Sequence, residues 1–282
     1  MLKNITSSLR IIVYGTWASD WMQALGPHSR LWINHPNVRE VVIWNNINND
    51  PIPQPRNSEF LTVILPLMEW HIIQCPKNYY SLTSDEKTIS TLGIKDLFAN
   101  YMQEIGLSSF CPERYLSLST ISYPAILKRV NKNGSNGIAL VNTESDLVDH
   151  LNCEPWKNQN ILIQEAITSD KEFVYHLVCK DGRIYWASCL CYRLINSHSI
   201  KNENSLLSTE RVTISTNLLT LFERILKPLK FSGPCNIDFR FNSAGNLKIL
   251  EINPRLGGSL MRKENADLLK EAINQILALA LH

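Results

Sequence analysis

One stretch constrains this chain more than any other: Asn236-Ile237-Asp238-Phe239-Arg240-Phe241, followed after a break by Glu251-Ile252-Asn253-Pro254-Arg255. Side chains alternate sides along a strand, so Asn236, Asp238 and Arg240 share one face while Ile237, Phe239 and Phe241 turn to an apolar interior. A hairpin turn centred on Ala244-Gly245, inside the breaker-rich segment 242–246, sets 243 opposite 246. Asp238 then faces Glu251, and Asn236 faces Asn253. Cross-strand neighbours lie only about 4.5 to 5.5 Å apart, where two carboxylates repel unless one is protonated or a cation sits between them. A hard divalent ion, Mg²⁺ or Mn²⁺ in its place, is the economical solution for acidic and amide oxygens, with Asp238, Glu251 and Asn253 as candidate ligands. A surface hairpin whose acids face water is the alternative for this segment taken alone.

The rest of the composition is that of an ordinary globular protein. The 282 residues, 44% of them hydrophobic, suffice for one large or two modest domains. The formal charge of +2 gives no overall field favouring nucleic acid or membrane, so any basic site is local. No run approaches the length needed to cross a bilayer, and the start Met1-Leu2-Lys3-Asn4-Ile5-Thr6 lacks the apolar core of a secretion signal; a cytoplasmic protein is expected. Seven scattered cysteines without a CxxC argue for reduced thiols, with Cys189 and Cys191 as small buried apolar side chains.

Residues 10–15, 38–44 and 60–65 are short apolar runs separated by polar or helix-capable stretches, the texture of a small α/β unit. Pro51, Pro53 and Pro55 make a rigid extended connection. Apolar periodicity predicts a helix over 84–101 and beyond, stopped at Gly106. Strands are expected over 125–130, 138–141, 161–164, 173–179 and 184–192, with Asp181-Gly182 as a hairpin turn, and helices over 213–230 and 263–281. The polar segment 196–210 is a candidate cover for a site or a solvated connection. Arg193, His198 and Arg211 in and around it are substrate-facing candidates only against the commoner reading as surface side chains.

Lys128 ends the strand Ala125-Ile126-Leu127-Lys128, and a glycine-containing turn over 131–137 is expected to follow before the chain re-enters a strand at Ile138. The lysine precedes the glycines and a strand follows them, an order opposite to that of a Walker A loop. Backbone N–H groups around Gly134, Ser135 and Gly137 can approach phosphate oxygens closely, and Lys128 supplies a point charge from the adjoining sheet. A surface hairpin bearing lysines is the plainer reading of this segment alone.

In order and spacing, the series from Lys95 to Arg255 resembles the ATP-grasp superfamily. Lys95, eleven residues before Gly106, is similar to the first phosphate lysine of that superfamily, and Lys128 to the second. Gln164-Glu165-Ala166-Ile167 resembles the strand that holds adenine, and Glu172, seven residues past Glu165, falls where a carboxylate meets the ribose hydroxyls. Asp238, Glu251 and Asn253 match the metal-binding trio, including the thirteen-residue separation of the acids, and Arg255 matches an arginine beside the transferring phosphate. Singly, Glu165 and Glu172 read as exposed strand-end acids. The likeness covers residues 84–262; Ile94 departs from the acidic residue common before the first lysine, and Gly15-Thr16-Trp17 is not a glycine-rich loop.

The resemblance implies an α/β (α+β) ATP-grasp fold, in which two antiparallel-sheet subdomains enclose ATP after a small Rossmann-like α/β domain. The expected units are residues 1–90, 91–163 and 164–282, the last carrying the metal site. It implies an ATP-dependent carboxylate–amine ligase acting on small molecules through an acyl phosphate, with Lys128 and Arg255 as catalytic charges and a homodimer by analogy. A phosphotransferase with the same nucleotide site, and a regulatory nucleotide-binding protein with a degenerate site, are the alternatives.

Overall fold

The computed structural model describes residues 8–46, 50–129, 137–202, 204–213 and 215–282. The chain begins with a three-stranded parallel sheet, β1 (Leu9–Tyr14) between β2 (Val38–Trp44) and β3 (Leu61–Pro66). Every residue of β1 is buried, as suits the middle strand of a parallel sheet covered on both faces. Its one charged residue, Arg10, is 1% exposed and pairs with Glu40 at 3.2 Å. The same guanidinium donates to the carbonyls of Pro53 at 2.7 Å and Gln54 at 3.3 Å, so a buried charge fastens the proline-rich connection to the sheet edge. Helices α1 (Ser19–Leu25) and α2 (Glu69–Ile73) follow β1 and β3.

The expected long helix after this unit is two helices, α3 (Glu86–Gly93) and α4 (Lys95–Glu104), broken at Ile94, whose φ of −92° and ψ of 120° are extended. Asp85 caps α3 by accepting from the Thr88 N–H at 2.7 Å. A Cβ on Gly93 would sit 3.4 Å from Pro254 Cδ, so the break lies hard against the end of the functional hairpin. The C-terminal stop does fall at Gly106, in a left-handed conformation with φ +69°, and Leu107 N–H reaches back to Met102 at 2.8 Å.

A small antiparallel sheet comes next, ordered β5 (Ile138–Val141), β4 (Ala125–Arg129), β6 (Ile161–Glu165), with α5 (Glu144–Asn152) covering it. The remainder forms a five-stranded antiparallel sheet. Its order is β11 (Leu247–Asn253), β10 (Gly233–Phe241), β7 (Lys171–Lys180), β8 (Arg183–Leu194) and β9 (Leu206–Val212). Asp181 and Gly182, at φ 50° and 74°, close the β7–β8 hairpin as the two-residue turn expected there. A Cβ on Gly182 would come within 2.3 Å of Lys227 Cα, so only glycine fits. β9 takes up part of the polar segment expected as loop; it pairs along β8, with Arg193 opposite Ser208.

Two helices back this sheet. α6 (Thr216–Leu226) buries Leu221, Phe222, Ile225 and Leu226 in a cluster with Phe239 and Ile252, and the expected 213–230 helix is shorter because Ser215 and Lys227 bound it. α7 (Ala266–Ala280) carries the expected stripe, Leu268, Leu269, Ile273, Ile276 and Leu277, into a core shared by β1 and by Val174, Val178 and Leu190 of the large sheet. The parallel sheet is thereby welded to the large one, while the small sheet keeps a separate core around Leu127, Leu147 and Trp156.

His176 of β7, 1% exposed, holds this junction through a 2.8 Å hydrogen bond between Nε2 and Ser259 Oγ. Burial, then the nearby Lys201 charge, push its pKa down to about 3 from the usual 6.5. A depressed value means stability that is complete above pH 6.5 and lost as pH falls towards 3, because the unfolded chain takes up the proton first. His176→Gln should flatten the dependence of unfolding free energy on pH across that window by about 1.4 kcal/mol per pH unit. Chemical denaturation at stepped pH measures it, and an unchanged slope would contradict the assignment.

Candidate functional site

The β10–β11 hairpin brings Asp238 opposite Glu251 and Asn236 opposite Asn253, by a route the sequence does not show. The turn closes on Asn242 and Asn246, with Phe241 opposite Leu247, one residue out of step with a turn centred on Ala244-Gly245. Asn242 Oδ1 accepts from the backbone of both Ala244 and Asn246, and Gly245 takes φ +77°. Leu250 has no partner across the ladder, and this bulge restores the pairing before Glu251. The two offsets cancel.

The polar face then assembles as alternation requires. Asp238 Oδ2 accepts from Asn236 Nδ2 at 2.9 Å and lies 3.4 Å from Asn253 Nδ2, which is also 3.0 Å from Glu251 Oε1. Lys128 Nζ donates to the Leu250 carbonyl at the bulge, 3.3 Å away. Burial lowers the pKa of Lys128, and Glu251 is the strongest influence opposing it. Burial raises Glu251 in turn, but Lys128 and the Asn253 amide outweigh it and hold the carboxyl below its usual range. Lys95, at the first position of α4 because the helix breaks at Ile94, adds to the positive field felt by both groups.

A lysine that the sequence did not mark completes the cluster. Lys201 reaches in from the segment after β8 and contacts Glu172 Oε1 at 2.5 Å and Asp238 Oδ1 at 2.8 Å, with its ammonium 4.8 Å from the centre of the Tyr192 ring. Burial disfavours this charge, but Asp238 and then Glu172 more than offset the penalty and raise its pKa. Burial together with Glu251 and Glu172 lifts Asp238 to about 6 even against Lys201. Glu172 is gripped on its other oxygen by Arg240, through Nε at 3.0 Å and Nη2 at 2.9 Å. That guanidinium also donates to the carbonyls of Ile167 at 3.2 Å and Ser199 at 2.8 Å. Arg240 thus ties β10 to the end of the β6–β7 connection and to the segment that delivers Lys201.

Between the small and large sheets lies a cavity of about 170 Å³. Ile126, Ile138 and Leu140 of the small sheet and Leu250 of the hairpin supply its apolar walls. Lys128, Gln164, Glu165, Ala166, Ile167, Glu172, Asp238 and Glu251, all expected at a nucleotide site, line it together. Lys95 and Asn253 line an adjoining space of about 40 Å³ that shares Lys128, Gln164 and Glu251. Gly137 is buried at the start of β5; Gly134 and Ser135 lie outside the described residues. The Glu165 carboxylate turns to the backbone N–H of Glu113 at 3.1 Å and towards Lys248. Arg255 lines neither space: it pairs with Glu69 at 3.1 Å and packs over Trp21. His198 lines the cavity, whereas Arg193 and Arg211 are exposed side chains outside its lining.

Among the described residues no three or more His, Cys, Asp or Glu side chains gather to hold a metal. The donor set of two carboxylates and one amide nonetheless fits a hard divalent ion that keeps water or phosphate in the rest of its shell, once the Asn253 amide presents its oxygen. The cation already drawn between Asp238 and Glu172 shows that the carboxylates attract positive charge. Among the described residues no helix is long and apolar enough to cross a membrane.

The family model described as carbamoyl-phosphate synthase L chain, ATP binding domain, matches residues 111–266. The arginine-specific carbamoyl phosphate synthase large chain of Bacillus subtilis (strain 168) is 25% identical over 180 residues, 60% of this chain and 17% of that protein. The carbamoyl phosphate synthase large chain of Methanocorpusculum labreanum is 25% identical over 179 residues, again 17% of its length, so this chain spans about a sixth of the curated relatives. The fold is also that of D-alanine–D-alanine ligase from Bacillus anthracis, solved with ATP, at TM-score 0.67, 12% identity and 98% of both chains. An L-amino acid ligase from Bacillus licheniformis superposes with TM-score 0.63 at 15% identity, over 98% of this chain and 75% of that one. The shared architecture is the ATP-grasp fold.

Replacing Arg240 by Met leaves the Glu172 carboxylate short of its guanidinium partner in a buried site. A loss of about 3 kcal/mol in unfolding free energy is expected. The Glu172→Gln, Arg240→Met double variant should lose less than the two single changes added together, measured as a double-mutant cycle by denaturant titration. Additive losses would contradict the coupling.

Proposed function

Since the chain belongs to the family of the carbamoyl-phosphate synthase L chain ATP binding domain, within the ATP-grasp superfamily, we propose that it is an ATP-dependent ligase joining a small-molecule carboxylate to an amine. The observation that carries this reading is the facing pair Asp238 and Glu251 at the rim of the inter-sheet cavity, with Lys128 buried beside them. Carboxylates aimed apart, or sealed from any cavity, would have removed its basis.

The adenine base packs between Ile126, Ile138 and Leu140 on one side and Leu250 on the other, its edge meeting the backbone of Gln164 to Ile167. Glu172 faces the ribose. Lys95 and Lys128, with backbone N–H groups around Gly134, Ser135 and Gly137, neutralise the phosphates. Asp238, Glu251 and Asn253 would hold a divalent ion, Mg²⁺ or Mn²⁺, which would supply positive charge to the phosphate oxygens. The γ-phosphate passes to the substrate carboxylate, breaking its bond to the β-phosphate oxygen and releasing ADP. An amine attacks the resulting acyl phosphate and inorganic phosphate leaves. No side-chain nucleophile is needed; the protein contributes position and charge, with Arg255 stabilising the oxygens in transit. Solved proteins of this fold carry the names of ligases, among them phosphoribosylamine–glycine ligase from Thermotoga maritima, TM-score 0.64 at 16% identity over 95% of this chain and 74% of that one. The reading includes a cytoplasmic location, for which five buried thiols speak, and a homodimer by family analogy.

Lys201 favours a second reading. A lysine ion-paired with both Asp238 and Glu172 is what a regulatory nucleotide-binding protein would hold in place of a metal. ADP release measured over a matrix of carboxylic acids and amines separates the two. The ligase reading expects release that requires an acid, an amide product, and a loss of about a hundredfold or more in kcat/KM for Asp238→Asn or Glu251→Gln. Nucleotide binding with no acid-dependent release overturns it, and release without an amide points to phosphotransfer.

A further inference from the structure

The carboxyl ends of β1, β2 and β3 carry an aromatic series that the nucleotide chemistry does not use. Trp44 stacks on Tyr14 with ring centres 4.6 Å apart, Tyr14 lies 5.2 Å from the His71 ring, His71 lies 5.2 Å from Trp70, and Trp70 meets Trp17 at 5.4 Å. The series begins in the core, where Tyr14, Trp44 and His71 are buried, and ends at the surface with Trp70 40% and Trp17 46% exposed. The carboxyl edge of parallel strands is where open α/β sheets bind ligands.

The two exposed rings are held from beneath. Trp70 Nε1 donates to His71 Nε2 at 3.0 Å, which fixes the indole and turns its one polar atom inward. The His71 ring lies against the Gly15 backbone, close enough that a Cβ there would come within 2.2 Å of it, and Gly15 itself takes φ +103°. What Trp70 offers outward is apolar surface. Its plane makes 63° with that of Trp17, so the pair forms a corner in which a ring stacked on one indole meets the edge of the other, the arrangement aromatic groups favour.

This corner is tied to Arg255 through the chain. Glu69, the residue before Trp70, is the ion-pair partner of Arg255, and Trp21, four residues past Trp17, lies under the Arg255 guanidinium at 5.8 Å and within 3.8 Å of where a Gly258 Cβ would stand. The corner and Arg255, whose guanidinium pairs with Glu69, are thus joined through two short stretches of chain, Trp17 to Trp21 and Glu69 to Trp70. A ligand spanning both has a bulky apolar end and an anionic end.

Resting on the ligase reading above, we propose that the carboxylate substrate carries an aromatic or large branched aliphatic group, seated in the corner of Trp17 and Trp70 with its carboxylate directed to Arg255. Rejection of small acids follows, because an empty apolar corner contributes no binding.

The test uses hydroxylamine as the amine, which converts an acyl phosphate to a hydroxamate and phosphate without knowledge of the natural partner. Hydroxamate and ADP are measured with 3-phenylpropionate, L-phenylalanine, L-leucine, acetate and L-alanine, on the wild type and on Trp17→Ala, Trp70→Ala, Trp70→Phe and the double alanine variant. The expected result is a kcat/KM at least tenfold higher for the bulky acids than for acetate or L-alanine. In the double alanine variant that ratio collapses at least tenfold, chiefly through KM, and Trp70→Phe retains most of it. Turnover confined to small acids, or a ratio indifferent to both tryptophans, overturns the proposal and leaves the ligase reading intact. Calorimetric titration of 3-phenylpropionate into the protein with a non-hydrolysable ATP analogue covers the remaining case. Binding lost in the double variant without turnover in any assay keeps the acid site and discards the ligase reading; absence of binding and turnover discards both.

Discussion

A single ammonium group, that of Lys201, sits where Asp238 and Glu172 would otherwise repel, and the surroundings of the cavity are arranged about it. Three carboxylates cannot share a buried space without compensating charge, because desolvation and mutual repulsion both favour protonation. Lys128 answers Glu251, Arg240 answers one oxygen of Glu172, and Lys201 answers the other together with Asp238. The price of admitting divalent metal and triphosphate to such a site is the departure of Lys201 from at least one of these partners. Its position on a connecting segment, outside the sheets, suits that exchange, since the strands that carry the acids need not move.

The fold supplies rigidity on one side of the cavity and independence on the other. The parallel sheet and the five-stranded sheet share one core through α7, and that core takes in Trp21, which lies under Arg255, and Leu256 just past the hairpin. The small sheet, with Lys128 and Ile126, packs around its own centre at Leu127 and Trp156. A nucleotide bound between them is clamped by elements that do not share a core. The broken helix serves the same geometry: an extended Ile94 starts α4 at Lys95, which lines a common space with residues 249–253 of the hairpin, so the positive end of the helix faces it.

Much of this was legible in the sequence because alternation is a strong signal. Asn236, Asp238 and Arg240 share a face and Ile237 and Phe239 share the core, as period two demands. The Asp238–Glu251 pairing was also legible, though only because a three-residue turn and a bulge at Leu250 shift the register by one residue in opposite senses. The break at Ile94 left one local trace, Gly93 at the end of α3, which the helical spacing of Leu97, Tyr101 and Ile105 past it obscures. Lys201 left none. A lysine in a polar segment has no period, and its meaning comes from Ser205, whose hydroxyl donates to the Ile200 carbonyl, and from Arg240, which anchors Ser199. Arg255 was expected beside phosphate, yet here its partners are Glu69 and Trp21, so sequence order placed it near the chemistry without revealing which unit it joins.

On the proposed reading, the carboxylate cluster is a cation site held provisionally by Lys201. A crystal structure of the protein with Mg²⁺ and a non-hydrolysable ATP analogue tests it most directly. The expected result is metal density bonded to oxygens of Asp238 and Glu251, adenine against Leu250 and Ile138, and the Lys201 ammonium moved off Asp238. Nucleotide bound outside the inter-sheet cavity, or bound within it while Lys201 keeps both ion pairs and no metal touches either acid, would contradict it.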